Sequence, residues 1–261
     1  MNMIAHIALL VATSTAVATS EPVGTATAAP VKVGPGTYRP IFPASPAEKE
    51  VAVGAFLLDK TPVTNAQFLA FTRQHSQWRR DQIKPLFADE NYLVHWQSDD
   101  SLGIARPDAP VVRVSWFAAR AYCAERGGRL PLEREWELAA AASQKKLDAT
   151  RDPAFQARVL AWYTQLTPPV LPDVGGEPNA WGVSDLHGLV WEWIDDFSAS
   201  LVESDSRDPA RKVFCGGAGA SSRDANAYAA FMRIAFRSSL DARSTTGVLG
   251  FRCAYDLPRN P

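Results

Sequence analysis

Apolar and polar positions along the chain fall into short strand patterns and helical patterns. The apolar, partly β-branched run from Val51 to Leu58 predicts a strand. A helix is predicted directly after it, because Thr64 and Gln67 have the spacing of a capping box in front of an apolar face. In chain order the pattern predicts strands over 51–58, 110–114, 212–217, 231–239 and 246–254, and helices over 64–75, 116–126 and 133–143, with a further short helix within 144–158.

The order of these elements indicates an α+β fold, because helices dominate early and strands late instead of alternating. The stretch 76–106 has no regular pattern and is predicted as a long irregular loop, a kind of segment that often carries function. Glu133, Glu135 and Glu137 lie near the start of the third predicted helix. We expect these carboxylates to be solvated or capping groups, because the positive end of a helix favours them there.

The stretch from Gly182 to Phe197 carries the densest set of chemical groups. Trp191 and Trp193 flank Glu192, and successive side chains of an extended segment point to opposite faces. Both indoles are therefore expected in one layer, with Glu192 directed toward a turn, a groove or an ion. A core strand that ends at the two following aspartates is the plainer interpretation of the same residues.

Composition and charge exclude some classes of partner. The chain has 261 residues, a formal net charge of −1 and 21% charged residues, so no basic field for a nucleic acid is present. No polybasic block suggests an anionic membrane surface. The apolar run Ile7–Ala18 is too short, and too rich in serine and threonine, to predict a stable membrane span.

The same run is instead predicted to be an export signal over residues 1–18. Ala16–Ala18 fits an A-x-A cleavage site, and a second candidate site ends at Ala28. Residues 19–36 are predicted as a linker and 37–258 as a single domain, so the expected location is periplasmic or secreted. The exported chain has three cysteines, Cys123, Cys215 and Cys253. Two alternatives remain open: one disulfide with one free thiol, or three free thiols.

Several short motifs resemble, in their order, those of the formylglycine-generating enzyme (sulfatase-modifying factor) superfamily. They cover almost the whole predicted domain. The motifs are Val63-Thr64-Asn65 before Phe68, Pro110 to Trp116, Ala121-Tyr122-Cys123, Gly128 to Pro131, Glu135-Trp136-Glu137, Gly188 to Trp193 and Gly250 to Cys253. The resemblance implies a variant C-type-lectin-like fold with little regular secondary structure. It also implies that Cys123 pairs with Cys253.

Two departures from the family pattern bear on cofactors. Formylglycine generators follow a Gly-Gly-Ser turn with two cysteines that bind copper, whereas here the turn is Gly216-Gly217-Ala218 and the loop 219–230 has no cysteine. Hydroxyls do not replace thiolates for copper(I), so the two-cysteine copper reaction is not expected. The family often binds calcium in the segment where this chain has Leu189 in place of an asparagine. Glu192 is therefore either a ligand of a structural calcium or a buried hydrogen-bond acceptor.

The resemblance leaves two classes of function open. Exported branches that mature pyoverdine-type siderophores, or that are encoded beside copper nitrite reductases, look similar, the second more closely. One hypothesis is an oxidoreductase-type maturation enzyme that acts on a periplasmic protein, peptide or metabolite, with Cys215, Glu192, Tyr228 and Arg237 as candidate catalytic residues in redox, acid–base and anchoring roles. The alternative is a non-catalytic, lectin-like binding or assembly module for a periplasmic enzyme, for example a copper-containing one. A monomer or small oligomer is expected in either case.

Overall fold

The computed structural model describes residues 28–40, 50–197 and 225–258. Its elements are short and are joined by long irregular segments, as the α+β, lectin-like class predicts. In chain order they are β1 (Val31–Val33), β2 (Gly36–Tyr38), β3 (Val51–Val53), β4 (Phe56–Leu58), α1 (Asn65–Gln74), a 3₁₀ turn (Ser76–Trp78), α2 (Trp116–Glu125), α3 (Glu133–Ala140), α4 (Pro153–Tyr163), β5 (Trp191–Glu192), α5 (Ala225–Ser238), β6 (Leu249–Gly250) and β7 (Ala254–Tyr255).

An antiparallel sheet with the order β1-β4-β7 joins the two ends of the domain. Val31 pairs with Leu58 on one side of β4, and Ala254 pairs with Leu58 on the other. β1 lies inside the stretch predicted as a linker, so the ordered domain begins before Thr37. Its pairing with β4 and the complete burial of Val33, at 0% exposure, explain why this short segment is ordered.

The strand predicted over 51–58 is two strands with different partners. β3 pairs with β2, whereas β4 pairs with β1 and β7. The chain changes sheet at Gly54-Ala55, where the ladder is interrupted. A continuous apolar run therefore predicted the strand character correctly but not the break.

The helix starts were predicted well because their signals are local. The Thr64 and Gln67 capping box is present at the start of α1, and the Ser115 side chain accepts from the Ala118 amide at the start of α2. α3 begins after Leu132, whose side chain offers no acceptor. The Glu135 carboxylate accepts from the Leu132 amide at 2.8 Å instead, so this residue has the capping role predicted for the acidic group.

One predicted strand is wrong and another is only partly right, because their backbone groups bond to several different segments. Within 110–114, the Val111 amide donates to Val63 and the Arg113 amide donates to Thr246. The Arg113 φ of 57° also lies outside the strand region. The strand predicted over 246–254 is divided into β6 and β7, because the intervening residues bond to the 59–63 stretch.

The strand predicted over 231–239 is a helix. α5 is rich in alanine, a strong helix former, and it packs against α4. Ala229, Arg233 and Arg237 are all buried and recur every four residues, so they share one face of the helix. Tyr228 lies away from that face, with 40% of its surface exposed. The strand predicted over 212–217 lies outside the described residues.

A single large core holds α1, α2 and α3 against the small sheets. Within it the structure joins Cys123 to Cys253 across 130 residues, with a Cα–Cα distance of 5.4 Å. This is the pairing that the family resemblance implies. None of the helices in the described ranges has the length and apolar character that crossing a bilayer requires.

Candidate functional site

The candidate site lies where α3, α4, α5 and β5 meet. The structure describes three of the four predicted catalytic residues there or beside it, namely Glu192, Tyr228 and Arg237. The fourth, Cys215, lies outside the described residues, as does the glycine turn after it. The described residues therefore show the framework of the site, and its geometry begins with Glu192.

Glu192 is completely enclosed and forms an ion pair with Arg252. The Arg252 Nη2 atom donates to Glu192 Oε1 at 2.8 Å and its Nε atom donates to Oε2 at 2.9 Å. The Trp136 indole Nε1 donates to the same Oε2 at 2.7 Å. Both charged side chains have 0% exposure, so this carboxylate is a buried acceptor, the second of the two roles predicted for it.

Calcium does not fit this arrangement. The ion needs six to eight oxygen ligands, and the positive Arg252 guanidinium occupies the space in front of both Glu192 oxygens. Arg252 is itself held by the carbonyl oxygens of Asp59, Lys60 and Ser184. Those carbonyl oxygens therefore accept hydrogen bonds from the Arg252 side chain and are not free to bind a metal ion. Within the described ranges no group of three or more His, Cys, Asp or Glu side chains is placed to hold a metal ion.

Arg237 belongs to a second buried ionic cluster, centred on Glu137. Arg233 forms a bidentate pair with Glu137, with Nε to Oε1 at 2.7 Å and Nη2 to Oε2 at 2.6 Å. Arg237 Nη1 donates to Glu137 Oε1 at 3.4 Å, and Arg233 Nη1 donates to the Tyr163 hydroxyl at 2.9 Å. Burial alone would raise the pKa of Glu137, but the charges and hydrogen bonds of the two arginines outweigh it and lower that pKa.

The expectation that Glu137 is a solvated or capping group is therefore wrong. It is buried because α5 supplies two guanidinium groups, and an ion pair of this kind is tolerated in the interior only when both partners are present. Glu133 is also not freely solvated, since it accepts from the Tyr38 hydroxyl at 2.7 Å. Burial raises the pKa of Glu133.

Trp136 connects the two ionic clusters. Its indole N–H bonds to Glu192, while the guanidinium carbons of Arg233 and Arg237 lie 5.6 Å and 4.7 Å from its ring centroid. Cations at this distance from an indole face are attracted to it. Two predicted site residues, Glu192 and Arg237, thus meet through Trp136, which the sequence analysis named only as part of a family motif.

A half-buried aromatic group flanks the clusters. The Trp191 ring stacks on Tyr163 at 5.2 Å and 23°, and the Phe236 ring centroid lies 4.5 Å from it. Trp193 instead is fully buried and donates to the Val114 carbonyl at 2.8 Å. The two tryptophans therefore contact different neighbours, although Trp193 belongs to the main core cluster and Trp191 packs against the same cluster.

A cavity of about 100 Å³ lies beside Arg233 and Glu137. His187 lines it, with Nε2 2.9 Å from the Ala140 carbonyl oxygen and Nδ1 buried without a partner among the described residues. Burial, together with the Arg233 charge, lowers the pKa of His187 to about 4, so the imidazole is neutral at pH 7. Its Nδ1 lone pair can accept a hydrogen bond inside the cavity.

Sequence reasoning missed Arg233, Tyr163 and His187 as parts of this site. The signal for Arg233 was present, because Arg233 and Arg237 are spaced by four residues. It pointed to a shared face only if the segment was helical, and the strand prediction concealed it. Tyr163 and His187 carry no local signal, since only the fold brings them to α5.

Comparison with known proteins gives the following similarities. A family model described as sulfatase-modifying factor enzyme 1-like domain matches residues 15–257. A formylglycine-generating enzyme from Streptomyces coelicolor is 31% identical over 264 residues, covering 79% of this chain and 80% of that protein. A Mus musculus protein named inactive C-alpha-formylglycine-generating enzyme 2 is 32% identical over 248 residues, covering 81% and 78%. The structure of PvdO from Pseudomonas aeruginosa covers 87% of this chain and 94% of its own, with 17% identity and a TM-score of 0.48.

Proposed function

The chain belongs to the sulfatase-modifying factor family, and from this we propose that it is an exported maturation factor that binds a protein or peptide-like partner without the two-cysteine copper reaction. Relatives named as a formylglycine-generating enzyme and as an inactive counterpart show that both kinds of protein share this sequence pattern. Fold alone does not fix activity, so the proposal depends on the site.

The observation that carries the proposal is that the candidate acid–base and anchoring residues are buried and paired with other residues of the protein. Both carboxylate oxygens of Glu192 accept hydrogen bonds, from Arg252 and Trp136, and Arg237 lies buried against Glu137. A general acid or base must reach the proton it transfers, and a group enclosed at 0–4% exposure does not reach a partner at the surface. These residues thus support a rigid scaffold.

An oxidoreductase is the second candidate, and one observation favours it. Cys123 and Cys253 are joined to each other, which leaves Cys215 as the third cysteine of the chain. It stands directly before Gly216-Gly217, the turn that in formylglycine generators precedes the two copper-binding cysteines. An exported protein with one such thiol has a group that is able to react or to bind a soft metal.

Metal analysis and oxygen uptake distinguish the two candidates. We expect purified mature protein to contain no stoichiometric copper or iron, and oxygen consumption with a thiol reductant to equal that of Cys215→Ser protein. Stoichiometric copper or iron that is lost in Cys215→Ser, together with lost oxygen uptake, would establish the oxidoreductase instead. Gln165→Ser, a change at an exposed position just after α4, serves as the control variant.

Export has its own test. Fractionation of cells that express the full chain should place the mature protein in the periplasm or medium, with an N-terminus after Ala18 or after Ala28. Retention of an uncleaved chain in the cytoplasm would contradict the export part of the proposal and leave the binding part to be tested separately.

A further inference from the structure

A groove of about 330 Å³ lies apart from the ionic clusters, and we call it the Arg113 groove. Its walls come from the irregular 95–113 stretch, from residues 167–171 and from Gly247-Val248. A volume of this size accommodates a small ligand or a few residues of a peptide. Two polar side chains and an apolar wall define its chemistry.

Arg113 is held in an unusual conformation, and none of the residues that the structure describes pairs with its charge. Its φ is 57°, and its backbone is fixed by bonds from its amide to Thr246 and from the Leu93 amide to its carbonyl, each 3.0 Å long. The guanidinium lies against Gly247, where an added Cβ would be 3.4 Å from Nη2. Within the described ranges its half-buried side chain makes no hydrogen bond or ion pair. Strained residues of this kind concentrate at ligand sites.

His95 lines the same groove and is also unsatisfied. Both of its ring nitrogens are buried, and neither has a partner among the residues that the structure describes. Burial, with the nearby charges of Arg113 and Arg80, lowers its pKa to about 4. A neutral imidazole offers one N–H donor and one acceptor, and leaving both unpaired in a buried position is unfavourable.

Apart from Asn65, Thr167 and a second arginine, the rest of the lining is apolar, and no acidic side chain belongs to it. Ile104 is 83% exposed and Val170 is 43% exposed, and Pro168-Pro169 complete that wall. The second arginine of the lining, Arg106, is paired with Asp173. Arg113 is thus the cation of the described lining that lacks an anion, and exposed apolar side chains lie beside it.

We propose that the Arg113 groove binds a peptide segment in which a carboxylate is adjacent to an apolar side chain. The carboxylate pairs with Arg113 and accepts from the His95 N–H, while the apolar side chain packs between Ile104 and Val170. The inference rests on the proposed function in one respect, since it supplies the surface by which a maturation factor recognises its partner. Charge complementarity selects an acidic segment over a basic one.

The test measures binding of fluorescent hexapeptides to the full mature chain. One peptide contains Leu-Glu, and two controls contain Leu-Gln or Gly-Glu in its place. We expect binding of the Leu-Glu peptide, with affinity at least tenfold lower for each control. Arg113→Asn should lower the affinity by about 10- to 100-fold, because it removes a charge-assisted hydrogen bond. Asparagine tolerates a positive φ, so this variant is expected to fold.

Two further variants separate recognition from folding. Arg151→Asn removes the same charge from an exposed turn before α4 and should leave binding unchanged. His95→Leu should abolish binding yet raise the melting temperature, because it removes an unsatisfied buried group. A merely structural histidine would instead lower the melting temperature when replaced.

Three results would overturn the proposal: equal binding of the Leu-Gln peptide, full binding by Arg113→Asn, or no binding of any peptide at about 1 mM, the limit of weak specific association. The maturation-factor proposal is judged by metal content and oxygen uptake. A failure of the maturation-factor proposal can therefore be distinguished from a failure of the proposal that the Arg113 groove binds a peptide.

Discussion

Replacing Glu192 with glutamine removes the negative charge that neutralises Arg252 in the interior of the protein. Both side chains have 0% exposure, so water does not take over the lost interaction. Removing one partner of a buried ion pair costs about 3–5 kcal/mol. A domain's entire stability is about 5–15 kcal/mol, and each 1.4 kcal/mol is about a factor of ten. We therefore expect the folding equilibrium to fall by more than about a hundredfold.

Urea unfolding at pH 7 without reductant measures this change. The Glu192→Gln midpoint should fall while the slope with denaturant stays constant, which indicates a change in stability alone. Glu50→Gln is the control, because Glu50 pairs with Arg39 at 2.9 Å where both side chains are about half exposed, at 48% and 47%. An exposed ion pair contributes about 0–1 kcal/mol to stability, so the urea midpoint of this control should change little.

The double variant Glu192→Gln/Arg252→Met tests whether the two charges act together. Its cost should be smaller than the sum of the single costs, by about 0.5–3 kcal/mol, since it leaves no unpaired charge. A loss below about 1 kcal/mol in Glu192→Gln would refute the reasoning. So would a wild-type midpoint that rises with calcium and loses this dependence in Glu192→Gln, because that would make Glu192 a calcium ligand.

Two other predictions concern stability. Cys253→Ser should cost about 4–5 kcal/mol in the chain-entropy model, and non-reducing peptide mapping of the wild type should link Cys123 with Cys253; a link from Cys215 to either would contradict the pairing. Burial lowers the pKa of His187 from the ordinary value of 6.5 to about 4. Between these two pH values the unfolded chain binds more protons than the folded chain, so stability should fall as the pH drops from about 6.5 to about 4. His187→Asn, whose amide can still donate to the Ala140 carbonyl, should flatten that fall, and an unchanged pH profile would show that His187 is not its source.

The parts of the fold that the sequence predicts are those with local causes. The capping pair Thr64 and Gln67 and the Ser115 cap act within one helical turn, so their patterns located α1 and α2. α5 was missed although it is alanine-rich, because the alternation of apolar residues with Arg233 and Arg237 also fits a strand. Contacts with Glu137, 96 and 100 residues away in sequence, decide between the two.

The site was predictable in its residue types but not in its pairings. The motif around Glu192 identified a carboxylate that is either a ligand or a buried acceptor, and the choice depended on Arg252, 60 residues later. The Arg113 groove had no sequence signal. The positive φ of Arg113 and the unpartnered ring of His95 arise from bonds to distant segments that a one-dimensional pattern does not contain.

The position of β4 in the middle of its sheet also sets the order in which the domain is completed. Its edge toward β1 is covered early, but its other edge waits for β7, and the Tyr255 hydroxyl reaches Asp59 across a separation of 196 residues. A chain emerging from the ribosome therefore exposes an unpaired strand edge until β7 has been synthesised. Folding should be post-translational and slow, since its closing contacts are among the most distant in sequence. Nascent chains that stop before β7 would be targets for chaperones or proteases.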